Sequence, residues 1–278
     1  MGKTLFVSDL DGTLLQPGAT LSPTSTDLLN RSIEGGKLFT IATARTPATV
    51  SGILSGVNLC LPAIVMTGAA RWHRNNDRYT SLKFIDPTAV TKLVDTFHAC
   101  NFPIYLFTIN NNTINIYHVG GKLGELEQQF MDERIDSPYK IFHIDSDGHE
   151  ILPPDFNSTI LFYGMQPTKE AEKTYTEIKK IANCRPQYYH DLYGPEIGIV
   201  EAFAANATKA EAVKELASEL GATRVVAFGD NINDIPMLKA ADVAVAVENA
   251  LPEVKEAADI VIGPNTSDSV ARFIYEND

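Results

Sequence analysis

The stretch FVSDLDGTLL, residues 6–15, runs from apolar residues straight into two aspartates, Asp9 and Asp11, with no lysine or arginine beside them. Two carboxylates held this close repel each other. Either both stand in water as part of an ordinary turn, or a distant part of the chain supplies positive charge. The flanking segments bear on that choice. KTLFVS (3–8) suits a strand buried on both faces. SPTSTDLLNRSIEGG (22–36) is punctuated as a helix, with Ser22 ahead of Pro23, Leu28, Leu29 and Ile33 on one side, and a glycine pair to end it. KLFTIA (37–42) predicts a second strand, PATVSGIL (47–54) a short helix opened by Pro47, and PAIVM (62–66) a third strand.

The last 80 residues resume the rhythm. TKAEAVKELASEL (208–220) predicts a helix stopped by Gly221, and RVVAFGD (224–230), DVAVAV (242–247) and DIVIG (259–263) predict strands. DIPMLKAA (234–241) and PEVKEAA (252–258) are short helices between them. Such alternation implies a parallel, doubly wound sheet with helices on both faces. The middle differs. PIYLFTI and NTINIYH (within 103–118) flank an Asn-rich turn, and STILFYG (158–164) precedes CRPQYYHDLY (184–193), with helices expected at 87–99, 122–134 and 168–182. Adjacent strand pairs of this kind predict an antiparallel α+β domain at 82–195, inserted into an α/β domain made of 1–81 and 196–278.

A chain of 278 residues can bury a full core, and 44% hydrophobic with 21% charged residues is an ordinary globular composition. No apolar run reaches the roughly 18 residues of a membrane span and no secretory signal opens the chain, so the expected location is cytoplasmic, with no membrane partner. Cys60, Cys100 and Cys184 are too few and too scattered for a disulfide framework or a zinc site. The net charge of −12 argues against a nucleic-acid partner, but a local cation still permits a small anionic ligand. Oligomeric state is not legible in the sequence.

In a doubly wound sheet, ligands bind beyond the carboxyl ends of the strands, where strand order reverses. The segments at that edge are DLDGT (9–13), TAR (43–45), TGA (67–69) and GDNIND (229–234), all acids, hydroxyls, amides and glycines behind apolar strands. Asp9 and Asp11 are thus expected to meet Asp230 and Asp234. Either loop alone reads equally well as a solvated turn, since Asp-Gly and Asn-Asp are turn formers; both at one sheet edge call for a cation. Magnesium, an oxygen-seeking ion, fits better than zinc because no His or Cys falls in these loops. An aspartate beside such an ion can attack phosphorus, and a second can move the proton of the leaving group and of water. Phosphoryl transfer also needs fixed donors on the phosphoryl oxygens. Lys209, Thr43, the amides of 43–45 and Asn233 are the candidates.

The order DLDGT, IATAR, TKAEAV, GDNIND resembles that of the haloacid dehalogenase (HAD) superfamily, end to end along the chain. The insert resembles the C2-type cap of its Cof-type, subclass IIB sugar phosphatases. The resemblance implies a Rossmann-like core with a cap that selects the leaving group, and a magnesium-dependent phosphatase acting on a small phosphorylated metabolite, a sugar phosphate first among candidates. It implies Asp9 as nucleophile and metal ligand, and Asp11 as general acid/base that binds metal through its carbonyl. Thr43, Lys209 and Asn233 would hold phosphate, and Asp230 and Asp234 would serve the metal. A phosphomutase with the same aspartate pair and a non-catalytic phosphometabolite sensor remain alternatives. The chain departs from the family pattern at Ala44, Ala210 and Thr67, where glycine, glycine and asparagine are usual.

Other signals read as structural. DSDGHE (145–150) begins like a calcium loop without its remaining ligands, and GGKLG (120–124) lacks P-loop spacing. His143, His149 and His190 read as solvated residues of the insert. Trp72 reads as packing, while Arg45 either pins its loop by a salt bridge or touches substrate.

Overall fold

The structure is a computed structural model that describes residues 2–145, 147–190, 194 and 196–277. Two compact units emerge, Met1–Ser81 with Thr208–Asp278, and Leu82–Ala207. Among the described residues, the first unit is built on a five-stranded parallel sheet. Its order is Ile260–Ile262, Val243–Val247, Arg224–Gly229, Thr4–Ser8, Leu38–Ile41. Every pairing in it is parallel. The inner strands are buried on both faces, which is why TLFVS and VAVAV read as unbroken apolar runs.

Strand order reverses at Thr4–Ser8. The chain first adds Leu38–Ile41 on one side, and after the insertion returns to add Arg224–Gly229 on the other. Ser8 lies opposite both Ile41 and Phe228, so the residues following each of these strands emerge side by side. The helix Pro23–Glu34 begins as its sequence predicts. Ser22 accepts the Ser25 N–H at 2.9 Å, and Pro23 occupies the first helical position, where a missing N–H costs nothing.

One strand is placed differently from the sequence expectation. Ala63–Val65 belongs to a small antiparallel sheet with Ala70–His73 and Arg78–Thr80, and is linked to the parallel sheet by an isolated parallel bridge between Ala42 and Ile64. The cause is the turn after it. Met66, Thr67 and Gly68 all have positive φ (50°, 55° and 89°), which folds the chain straight back on itself.

The second unit holds a six-stranded sheet in the order Cys184–His190, Ile197–Ala204, Thr159–Pro167, Ile104–Asn110, Thr113–Val119, Lys140–His143. All pairs are antiparallel except the last. The Asn-rich turn works as expected: Asn111 and Asn112 take φ of 49° and 65°, closing the hairpin between Asn110 and Thr113. The expected boundary at 195/196 falls instead after Ala207, because Ile197–Ala204 is an inner strand of this sheet rather than part of the first unit. Residues 191–193 of the expected strand CRPQYYHDLY, and Ser146 of DSDGHE, lie outside the described residues.

Consecutive residues of a strand face opposite ways. Phe162 packs on Phe97 of the helix Pro87–Cys100 (centroids 5.5 Å apart), while Tyr163 packs on Phe130 of the helix Glu125–Asp132 (5.0 Å). Among the described residues, no helix is long and apolar enough to cross a membrane, and all three cysteines are free thiols. Phe162→Ala removes a fully buried ring from this core. It is expected to lower the unfolding free energy of the second unit by about 3–5 kcal/mol. Hydrogen exchange of the amides in the 104–110 and 159–167 strands measures that loss.

Candidate active site

The three carboxylates of Asp9, Asp230 and Asp234 converge at the strand reversal, each offering an oxygen within 4.8 Å of the others. The backbone forces this. Asp9 continues the parallel ladder, its N–H donating to the Phe228 carbonyl at 3.0 Å, so it sits beside the end of the Arg224–Gly229 strand. Leu10–Leu14 then turns widely, closed by the Leu15 N–H on the Leu10 carbonyl at 2.9 Å. Gly12 is required at that turn, with φ of 77°, and a Cβ there would lie 2.3 Å from an Asp230 carboxylate oxygen. Thr13 donates to Asp230 Oδ1 at 2.8 Å, and Asn249 donates to the Gly12 carbonyl at 2.7 Å.

Lys209 supplies the positive charge that the opening stretch lacks. Its Nζ donates to Asp9 Oδ1 at 2.6 Å and to Asp234 Oδ1 at 2.7 Å, with all three side chains buried. The ammonium is the first residue of a helix, where the backbone dipole disfavours a cation. Burial lowers its pKa, but the charges and hydrogen bonds of Asp234 and Asp9 outweigh burial and raise it. Thr208 starts that helix by accepting the Glu211 N–H at 3.0 Å.

Each aspartate has a different share of the available donors. Asp234 is fully buried, with Oδ1 on Lys209 and Oδ2 accepting the N–H groups of Asp230 and Asn231, both at 3.2 Å. It organises both the lysine and the 230–234 turn. Asp9 has Oδ1 on Lys209, and its Oδ2 accepts no hydrogen bond among the described residues. Burial is the main cause raising the Asp9 pKa, with the Asp234 and Asp230 charges adding and Lys209 opposing. Asp230 is pushed up to about 6, again chiefly by burial. One lysine against three acids leaves excess negative charge, and the cluster takes up protons or a cation to offset it. The donor set is all oxygen, which fits a hard divalent ion.

Thr43 emerges at the same sheet edge, its N–H donating to the Ile64 carbonyl at 2.9 Å. Its hydroxyl oxygen accepts the Arg45 N–H at 3.1 Å, which leaves its own O–H proton available. Two expected residues stand apart from the cluster. Asn233 is exposed, and its side chain makes no hydrogen bond among the described residues. The Asp11 carboxylate is directed at Arg45, whose Nε and Nη2 donate to its two oxygens at 2.7 and 2.6 Å. Arg45 therefore pins its loop, as one of the two sequence readings had it. Arg71 is held at 2.6 Å by both oxygens of Glu219, and His143 stacks on Tyr117 with centroids 4.6 Å apart. Thr13 and Asn249 were not singled out from the sequence. Asn249 was legible in principle, since it follows the Val243–Val247 strand at the same edge.

Two outcomes are expected of the metal-free protein. Lys209→Met leaves buried carboxylates unpaired and should cost about 3–5 kcal/mol in denaturant unfolding at neutral pH, with Asp234→Asn added to it restoring part of the loss. For pH, the folded protein holds protons on Asp230 and Asp9 that the unfolded chain has released. Stability should therefore fall as pH rises from 3.8 to about 6 through Asp230, and further through Asp9. Lys209, raised above 10.5, contributes a constant amount across that window. Unfolding curves of wild type and Asp230→Asn, taken across the range, should diverge in that direction.

A family model for haloacid dehalogenase-like hydrolases matches residues 6–274. The pyridoxal phosphate phosphatase YbhA of Escherichia coli is 29% identical over 100% of this chain and 99% of its own. The 5-amino-6-(5-phospho-D-ribitylamino)uracil phosphatase YwtE of Bacillus subtilis is 26% identical, covering 96% and 95%. Among solved structures, TM0651 of Thermotoga maritima aligns over 100% of this chain and 98% of its own, with a TM-score of 0.76 at 19% identity. The HAD subclass IIB sugar phosphatase BT4131 aligns over 99% and 98%, with a TM-score of 0.69 at 19% identity. The α/β fold with its inserted unit is that of these structures, and with the match running from the first aspartate loop to the last helix, the chain belongs to the haloacid dehalogenase-like hydrolases.

Proposed function

We propose that this protein is a magnesium-dependent phosphatase that hydrolyses a small phosphorylated metabolite through an aspartyl-phosphate formed on Asp9. The observation that carries the reading is the asymmetry of Asp9. One oxygen is fixed by Lys209 while the other accepts no hydrogen bond among the described residues. An oxygen held in place but not hydrogen-bonded is what a nucleophile needs. The names of the relatives, phosphatases of small metabolites, point the same way.

In this reading Asp9 Oδ2 attacks phosphorus in line, the ester P–O bond breaks, and the leaving oxygen takes a proton from Asp11. Water then attacks the aspartyl-phosphate, Asp11 takes the proton of that water, and the Asp9–phosphorus bond breaks to release phosphate. Lys209 keeps Asp9 oriented and offsets part of its charge, and Thr43 offers its free O–H to a phosphoryl oxygen, with Asn233 as a further donor. Asp9, Asp230 and the Asp11 carbonyl are the residues proposed to hold magnesium, with Asp234 in support. A bound magnesium ion would neutralise the acid cluster and the phosphoryl charge together. The inserted unit, on this reading, selects the leaving group, and sugar phosphates are the first class to test.

The test is a magnesium-dependent screen for phosphate release from phosphorylated metabolites, with sugar phosphates, pyridoxal phosphate and a ribityl phosphate in the panel. Asp9→Asn should lose turnover of the best substrate by roughly 10⁴-fold or more while remaining folded. Substantial residual turnover in a clean preparation overturns Asp9 as nucleophile. Rapid formation of an isomeric phosphate with little free phosphate would turn the reading to a mutase.

A further inference from the structure

The ion pair between Arg45 and Asp11 joins two parts of the site that the proposed reaction needs to use separately. Both Asp11 oxygens accept from one guanidinium, at 2.7 and 2.6 Å. In that geometry both Asp11 oxygens are engaged by the guanidinium, and the carboxylate is held on Arg45 instead of being free to turn to a leaving group or a water. Asp11 is also half-exposed, and its carboxylate is not part of the cluster formed by Asp9, Asp230 and Asp234. For Asp11 to act, Arg45 has to let go.

What would make it let go is visible in where Arg45 is anchored. Its N–H donates to Thr43 Oγ1 at 3.1 Å, and its carbonyl accepts the Met66 N–H at 3.0 Å. The guanidinium therefore stands on the loop that carries Thr43, the hydroxyl proposed for phosphate. A guanidinium keeps its charge at any working pH, and a phosphoryl dianion is as well matched to its fork as a carboxylate, with more charge.

We propose that Arg45 exchanges partners when a phosphate ester binds: its fork passes from Asp11 to the phosphoryl group, and Asp11 is released to act only with substrate in place. This rests on the phosphatase reading and joins in one residue, as successive states, the loop pin and the substrate contact that the sequence left as alternatives. Without a ligand, the pair keeps the acid/base group turned to solvent and occupied. With a ligand, the same guanidinium serves the transferring group.

Competition between Asp11 and phosphate for one guanidinium has a thermodynamic signature that needs no turnover. Inorganic phosphate is titrated calorimetrically, at saturating magnesium, into wild type, Asp11→Ala, Arg45→Gln and the double variant. The proposal expects Asp11→Ala to bind phosphate about tenfold tighter, Arg45→Gln about tenfold weaker, and the double variant to match Arg45→Gln within about twofold. Arg45→Lys, which keeps charge without the fork, should recover part of the affinity. If Asp11 merely repels phosphate, removing it tightens binding equally with and without Arg45, and the proposal is overturned. If the pair only braces the loop, Asp11→Ala weakens binding, which also overturns it. Should none of the four proteins bind phosphate, the phosphatase reading falls and takes this proposal with it. Phosphate binding without the expected coupling sinks the exchange alone.

Discussion

The Lys209 ammonium between Asp9 and Asp234 is the contact on which the rest of this site depends. Its two hydrogen bonds, 2.6 and 2.7 Å long, join residues 200 and 25 positions apart in sequence. Without it, three carboxylates would be crowded into a space where burial already disfavours their charge. With it, the deficit of positive charge is reduced without being removed. The remainder is what gives the cluster its capacity for a divalent ion. A second lysine would make the site more stable and less able to bind one.

That contact is made possible by topology. Sequential addition of strands on one side of Thr4–Ser8 would have placed the two acidic loops at separate places along the edge. Reversal of strand order at this strand instead puts Asp9, one residue past Ser8, beside the end of the strand that Asp230 follows, Phe228 being opposite Ser8. Gly12 then lets the two loops approach, since any side chain there would occupy the position of the Asp230 carboxylate. The whole insertion, Leu82–Ala207, separates the two halves of the first unit in sequence without separating them in its sheet.

Much of this was legible from residue order, and the failures have physical causes. Buried parallel strands declare themselves as unbroken apolar runs, and the acids after them stand out by contrast. PAIVM and IGIVEAFA are apolar runs as well, but an apolar run does not say which sheet it joins. Ala63–Val65 went to a small antiparallel sheet because of a turn whose positive φ angles fall on Met66 and Thr67, residue types that give no warning of it. Ile197–Ala204 went to the inserted sheet because its partners lie on both sides of it there. The bidentate grip of Arg45 on Asp11 depends on side-chain direction across 34 residues of chain, which spacing cannot encode. Carboxylates, lysine and hydroxyl were recognisable because the chemistry calls for those residue types. Thr13 and Asn249, which hold the scaffold of the site, are chemically ordinary and identified only by their partners.

The Met66–Gly68 turn shows how that scaffold is held under strain. A β-branched residue at positive φ is disfavoured, and a residue in such a conformation costs of order 1–3 kcal/mol, so Thr67 at 55° must be held by its surroundings. The restraints are specific. Met66 N–H donates to the Arg45 carbonyl at 3.0 Å, and Thr67 N–H to the Thr43 carbonyl at 2.9 Å. On the other side, Gly68 lies so close to the start of the Lys209 helix that a Cβ would sit 2.3 Å from the Thr208 carbonyl oxygen and 3.1 Å from the Lys209 nitrogen. One strained turn thus ties the loop of Thr43 and Arg45 to the first turn of the helix that carries the lysine. Asparagine would tolerate that backbone better than threonine. A chain that keeps threonine there has to recover the difference from contacts around the turn, and these are the two backbone hydrogen bonds and the close approach to Thr208.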